Sequence, residues 1–179
     1  LNNTTGSCTV AIGHHAARCQ TTANATIAIG HCAGAGNTIT GADNIMVGRS
    51  AGFAVTTAFN NIFMGTCAGA NTGIGTENIF IGTCAGLCNT DGARSVFIGY
   101  EAGRFVTTGV VNVAIGHRAG CCIKTGNTNV AVGSNAGSKV CSGSGNVMLG
   151  TEAAVNMTTG GCNAIIGRNA GKSLSSGND

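Results

Sequence analysis

Asn78-Ile79-Phe80-Ile81-Gly82-Thr83-Cys84-Ala85-Gly86 decides the fold, because the chain contains it twice with a single change. Seventeen residues upstream stands Asn61-Ile62-Phe63-Met64-Gly65-Thr66-Cys67-Ala68-Gly69. Working outward, a glycine preceded by a hydrophobic residue recurs at Gly13, Gly30, Gly48, Gly65, Gly82, Gly99, Gly116, Gly133, Gly150 and Gly167. The spacing is 17 every time except between Gly30 and Gly48, where it is 18. Three residues after each comes an alanine, followed by Gly in eight units and by Ala17 or Ala154 in the other two. Four residues before it stands Asn44, Asn61, Asn78, Asn112, Asn129, Asn146 or Asn163, with Thr9, Thr26 and Ser95 in the remaining units.

A 17-residue period is too short for a helical-hairpin repeat, which needs about 33. The apolar residues come in short runs such as Val10-Ala11-Ile12, rich in β-branched types and bounded by Gly and Asn. Those are strands with turn punctuation. Stacked in register they predict an all-β fold, a parallel β-solenoid of about ten 17-residue coils over 1–179. At about 4.8 Å per coil its body is on the order of 50 Å long.

Composition removes several classes. Only 8% of residues are charged, against about a quarter in a globular domain, yet 43% are hydrophobic, so the chain does not read as disordered. Proline is absent, which excludes collagen. The net charge of +3 is dispersed, with no run that grips a phosphate backbone, so nucleic acid is not expected as a partner. Gly, Thr and Asn interrupt every apolar segment, so no membrane insertion is expected. The chain shows no signal-peptide pattern and does not begin with Met, which leads us to expect a segment of a longer fibre.

Alternate residues of a strand face opposite ways. The position before the anchoring Gly holds Ile12, Ile29, Val47, Met64, Ile81, Ile98, Ile115, Val132, Leu149 and Ile166, and two residues earlier Val and Ile again predominate. This face is expected to fill the inside of the coil. The position between them holds Met46, Phe63, Phe80, Phe97 and Met148 besides small residues. A strand apolar on both faces is buried on both. Either a loop covers this side of a flattened coil or it packs on other copies of the chain; the second is the expectation, with those five residues as the subunit interface. Phe80→Asp is then expected to weaken the oligomer and Ile81→Asp to disrupt the fold. Ala33-Gly34, Ala68-Gly69, Ala85-Gly86 and Ala102-Gly103 are assigned to the turn, where Gly permits positive φ or close approach. The Asn column is expected to cap a turn or form a side-chain ladder between coils.

Asn112-Val113-Ala114-Ile115-Gly116 and Asn129-Val130-Ala131-Val132-Gly133 resemble the N-x-A-I-G motif of trimeric autotransporter adhesin heads. The longer unit, with its A-G and T-T-G, is similar to repeats of phage and large-virus tail-fibre proteins. The resemblance spans about Thr9 to Gly177. It implies a left-handed parallel β-roll, a homotrimer, and a role as a fibre segment or adhesin head at a virion or cell surface. The partners it implies are the chain itself, host-cell surface and other fibre components. The unit here is longer, and it adds phenylalanines and ten cysteines. No receptor-binding residue carries over.

Chemistry is sparse. The acids Asp43, Glu77, Asp91, Glu101, Glu152 and Asp179 fall mostly at turns, with no acid–base pair, so no enzyme is expected. His14 and His31 share one column, His15 and Cys32 the next, and they are the metal candidates; the plainer reading, surface turn residues with no metal, is the expectation. No C-x-x-C pair occurs, so a zinc ribbon is excluded. Cys67 and Cys84 share a column in adjacent coils, within disulfide reach; most cysteines are expected to be reduced small fillers. No nucleotide or calcium motif is present, so no cofactor is expected. Thr21-Thr22, Thr56-Thr57, Thr107-Thr108 and Thr158-Thr159 raise the alternative of an ice-binding Thr ladder, though Gly73-Ile74 and Lys124-Thr125 interrupt it.

Overall fold

Each apolar triplet is a three-residue strand: β1 Val10–Ile12, β2 Ile27–Ile29, β3 Ile45–Val47, β4 Ile62–Met64, β5 Ile79–Ile81, β6 Val96–Ile98, β7 Val113–Ile115, β8 Val130–Val132, β9 Val147–Leu149 and β10 Ala164–Ile166. In the computed structural model, which describes residue 7 and residues 9–22, 25–36 and 38–177, they form one parallel sheet in chain order. The register repeats the sequence period: Ile62 pairs with Ile79 and Ile79 with Val96, Phe63 with Phe80 and Phe80 with Phe97. The chain is an all-β parallel β-solenoid of about nine turns.

Strands this short need the rest of the coil to bond as well. Most turn N–H groups donate to a carbonyl of a neighbouring coil, as Cys67 N to Arg49 O at 2.9 Å and Gly69 N to Ala85 O at 2.9 Å. The backbone is satisfied by stacking rather than by extended ladders. The anchoring glycine makes the close stacking possible. At Gly65, φ is +132°, and a Cβ would stand 2.7 Å from the backbone of Gly82 in the next coil.

The structure reverses the sidedness expected of the strands. Phe63, Phe80, Phe97, Met46 and Met148 are fully buried within the single chain, so they are core and not a subunit interface. The column assigned to the core faces outward: Ile12, Met64, Ile115 and Ile166 are exposed, and Ile29, Val47, Ile81, Ile98, Val132 and Leu149 are only partly covered. The physical reason lies two residues before the phenylalanine column. There the Asn side chains are fully buried, and period-two alternation puts the phenylalanines on their side. Each Asn amide bonds across the interior. Asn61 Nδ2 donates to Gly75 O at 3.0 Å, and Asn61 Oδ1 accepts from Asn78 N–H at 2.9 Å in the next coil. The expected ladder between coils therefore exists. It runs from Asn44 to Asn163, with Ser95 Oγ taking the acceptor role toward Asn112 N–H at 3.1 Å.

The phenylalanines stack along the axis, with Phe63–Phe80 centroids 5.2 Å apart and Phe80–Phe97 4.8 Å. A second buried column shares the interior: Ile39, Val55, Thr72, Asn89, Val106, Ile123, Val140 and Met157. Where the strand carries Phe80 the unit's other interior residue is the smaller Asn89; where it carries Ala114, the partner is Ile123. In these units the size of the phenylalanine-column residue is offset within the coil; Val106 beside Phe97 and Val140 beside Ala131 show no such offset.

Candidate functional site

The outer face of the sheet is the first candidate. Its two flanking positions in each strand are Val, Ile, Met, Leu or Ala throughout the ten strands. None of them is buried; most are partly exposed, and the end strands are the most open, with Val10 at 44%, Ile12 at 58% and Ile166 at 68%. Sequence reasoning found these columns but put them inside.

After the anchoring Gly the chain turns through residues with left-handed backbone, among them Cys32, Cys67, Cys84 and Glu101, with φ of 54–58°. Ala33, Ala68, Ala85 and Ala102 are buried at this corner, and Gly34, Gly69, Gly86 and Gly103 follow with φ of 56–58°. These glycines lie directly on the interior side chains. A Cβ at Gly69 would stand 2.7 Å from the Phe63 ring.

The metal candidates come together only in part. His14 and His31 stack with centroids 5.3 Å apart, His14 and His15 lie 3.8 Å apart, and the Cys32 thiol is 3.9 Å from His31 Nε2. Among the described residues no group of three or more His, Cys, Asp or Glu could hold a metal ion. The pKa of His15 is lowered by desolvation, then by the neighbouring charges of His14, Arg18 and His31.

Cys67 and Cys84 are free thiols. The Cys84 pKa is raised by burial and then by Cys67. Burial, followed by the adjacent Cys122, pushes the Cys121 thiol up to about 11. Cys8 and Asp179 lie outside the described residues.

The charged turn residues form local pairs. Glu101 bonds Arg104 of its own coil and lies 3.4 Å from Arg118 Nε, and Lys172 lies 3.0 Å from Glu152. The Thr column spends hydroxyls on the scaffold: Thr56 donates to Gly73 O at 2.8 Å, Thr107 to Lys124 O at 2.9 Å and Thr158 to Ser175 O at 3.0 Å. Among the described residues no helix is long and apolar enough to cross a membrane. Comparison with protein-family models, with curated proteins and with solved structures gave no match.

Proposed function

We propose that the chain is a structural rod without catalytic activity, a segment of a fibre, spike or adhesin head at a virion or cell surface, assembled with its own copies as a homotrimer. The observation that carries this reading is the apolar outer face of the sheet, which has no polar residue at either flanking position in ten strands. Ten strands at about 4.8 Å give a strip roughly 45 Å long, and a continuous apolar patch of that extent is unfavourable against water and marks a contact surface. A partner must be apolar over the same length and repeat at the same interval. Another copy of this face meets both conditions, and the strip carries no charge that favours a polar partner. The trimer is the closed assembly that the adhesin-head and tail-fibre resemblance implies.

The test inverts two substitutions. Ile81 points outward, so Ile81→Asp is expected to leave the circular dichroism spectrum intact and reduce the mass by light scattering from three copies to one. Phe80→Asp puts a carboxylate in the core. It forfeits the roughly 3–5 kcal/mol of an emptied Phe site and adds an unpaired buried charge, so the protein is expected to unfold. A wild-type mass of one copy would remove the assembly; a mass of two would replace the trimer with a dimer.

A further inference from the structure

One electrostatic pairing occurs twice along the corner of the solenoid. A cation five residues after the anchoring Gly meets a carboxylate two residues after an anchoring Gly. In the sixth coil Arg104 pairs with Glu101, and at the last coil Lys172 pairs with Glu152 of the coil before. The first coil has the cation, Arg18, but His15 stands where the carboxylate would be, and Cys32 holds that position in the second coil. Arg18 makes no ion pair among the described residues. His14, His31 and Arg49 add to the same corner, while Asp43, the acid of these coils, lies at the far end of β3.

The same place is where the repeat is irregular. Counted forward from the anchoring Gly, the Gly36 N–H to Phe53 O bond is in step with Ala54–Ala70, whereas Gly41–Thr56 matches Gly92–Thr107 only with Gly41 and Gly92 counted back from the next anchoring Gly. The extra residue of the 18-residue unit therefore falls between Gly36 and Gly41. Insertions in repeat proteins commonly map to a binding face. Here the small pair Ala35-Gly36 sits between Arg18 and Phe53, and a cavity of about 200 Å³ opens, lined by His15, Arg18, Cys32, Ala35, Gly36 and Phe53. Gly36 packs against Phe53 so closely that a Cβ would stand 2.6 Å from the Phe53 carbonyl oxygen, which holds that residue as a wall.

We propose that this notch binds a small carboxylic acid with an apolar, ring-sized body, whose carboxylate takes the place of the missing Glu. The guanidinium presents a donor fork matched to a carboxylate. The Phe53 ring and Ala35 cover the body, and the volume suits about one ring, since a 150 Å³ apolar cavity holds benzene. The bound anion offsets the positive charge that Arg18 brings to this corner.

Benzoate titrated into the intact chain, followed by amide and side-chain NMR shifts, is expected to saturate with changes centred on Arg18, Cys32 and Phe53. Neutral benzamide and body-less acetate are each expected to bind at least tenfold more weakly, and Arg18→Gln to lose at least tenfold. His15→Glu is the decisive variant. Glu101 and Glu152 show that this backbone position, with φ near +57°, accepts Glu. It is expected to fold normally and to abolish benzoate binding by supplying the carboxylate internally. No saturation at millimolar benzoate, equal affinity for benzamide, or unchanged binding in His15→Glu would each overturn the proposal.

Discussion

Asn89 is the residue that the interior holds without using. Both of its amide atoms are buried and lack a hydrogen-bond partner among the described residues, and so does the hydroxyl of Thr72 in the coil before. Val55, Val106, Ile123 and Val140 fill the same column elsewhere. A buried unsatisfied polar group costs about 1–3 kcal/mol, and Val fits this backbone in three other coils. Asn89→Val is therefore expected to raise stability by roughly 1–2 kcal/mol, read as a higher Tm. A lower Tm would mean that a buried water satisfies the amide. The contrast with the Asn61 column is instructive. Asn61 has its partners arranged by the coil on either side, and nothing in its own segment announces them.

At the scale of the element, each strand and the corner after it form one packing unit. Position four after the anchor accepts Ala17 and Ala154 with φ of 49° and 50°, so left-handed backbone alone does not demand Gly. Crowding does. A Cβ at Gly86 would meet the Phe80 ring, with Cγ at 2.8 Å. Gly86→Ala is expected to destabilise by about 1–3 kcal/mol through overpacking. Phe80→Leu in the same chain is expected to recover part of that loss, a coupling that a double-mutant cycle in urea would measure. The strands, the corner glycines and the Asn column were all legible in the sequence, because each recurs at a fixed offset in most or all units. The inner face was not. The uniform Val/Ile columns resembled a core, and the Ala-to-Phe variation resembled an interface, yet in two units the variation is matched inside the coil, by Asn89 beside Phe80 and Ile123 beside Ala114. That compensation between two positions of one unit was the available signal.

At the scale of the whole molecule, each strand touches only the strands of the neighbouring coils, so stability is nearly a sum over units and their junctions. Excising residues 133–149 joins Val132 to Gly150 and removes one 17-residue period with β9. The shortened chain is expected to fold with Tm within several degrees of the parent. Excising residues 133–148 instead leaves an extra residue beside the anchoring Gly, within the strand and not in the turn where the 18-residue unit absorbs one, and a one-residue slip there turns that strand's side chains to the other face. That variant is expected to lose cooperative unfolding by circular dichroism. Equal behaviour of the two deletions would contradict a register set by the 17-residue unit.

The period, the short strands, the turn positions and the parallel stacking were determined by the sequence itself. Each is written locally, in β-branched triplets and glycines, and repeated until no other register is consistent. Which side of each strand is inside was decided only by the tertiary structure. With both faces apolar, hydrophobicity has no preference between them. The choice falls to the Asn amides that bond across the interior and to the space that Ala and Gly leave at the corner for a phenylalanine ring. The notch was equally beyond local reading, since His15 and Arg18, Cys32 and Ala35, and Phe53 meet only when three coils stack.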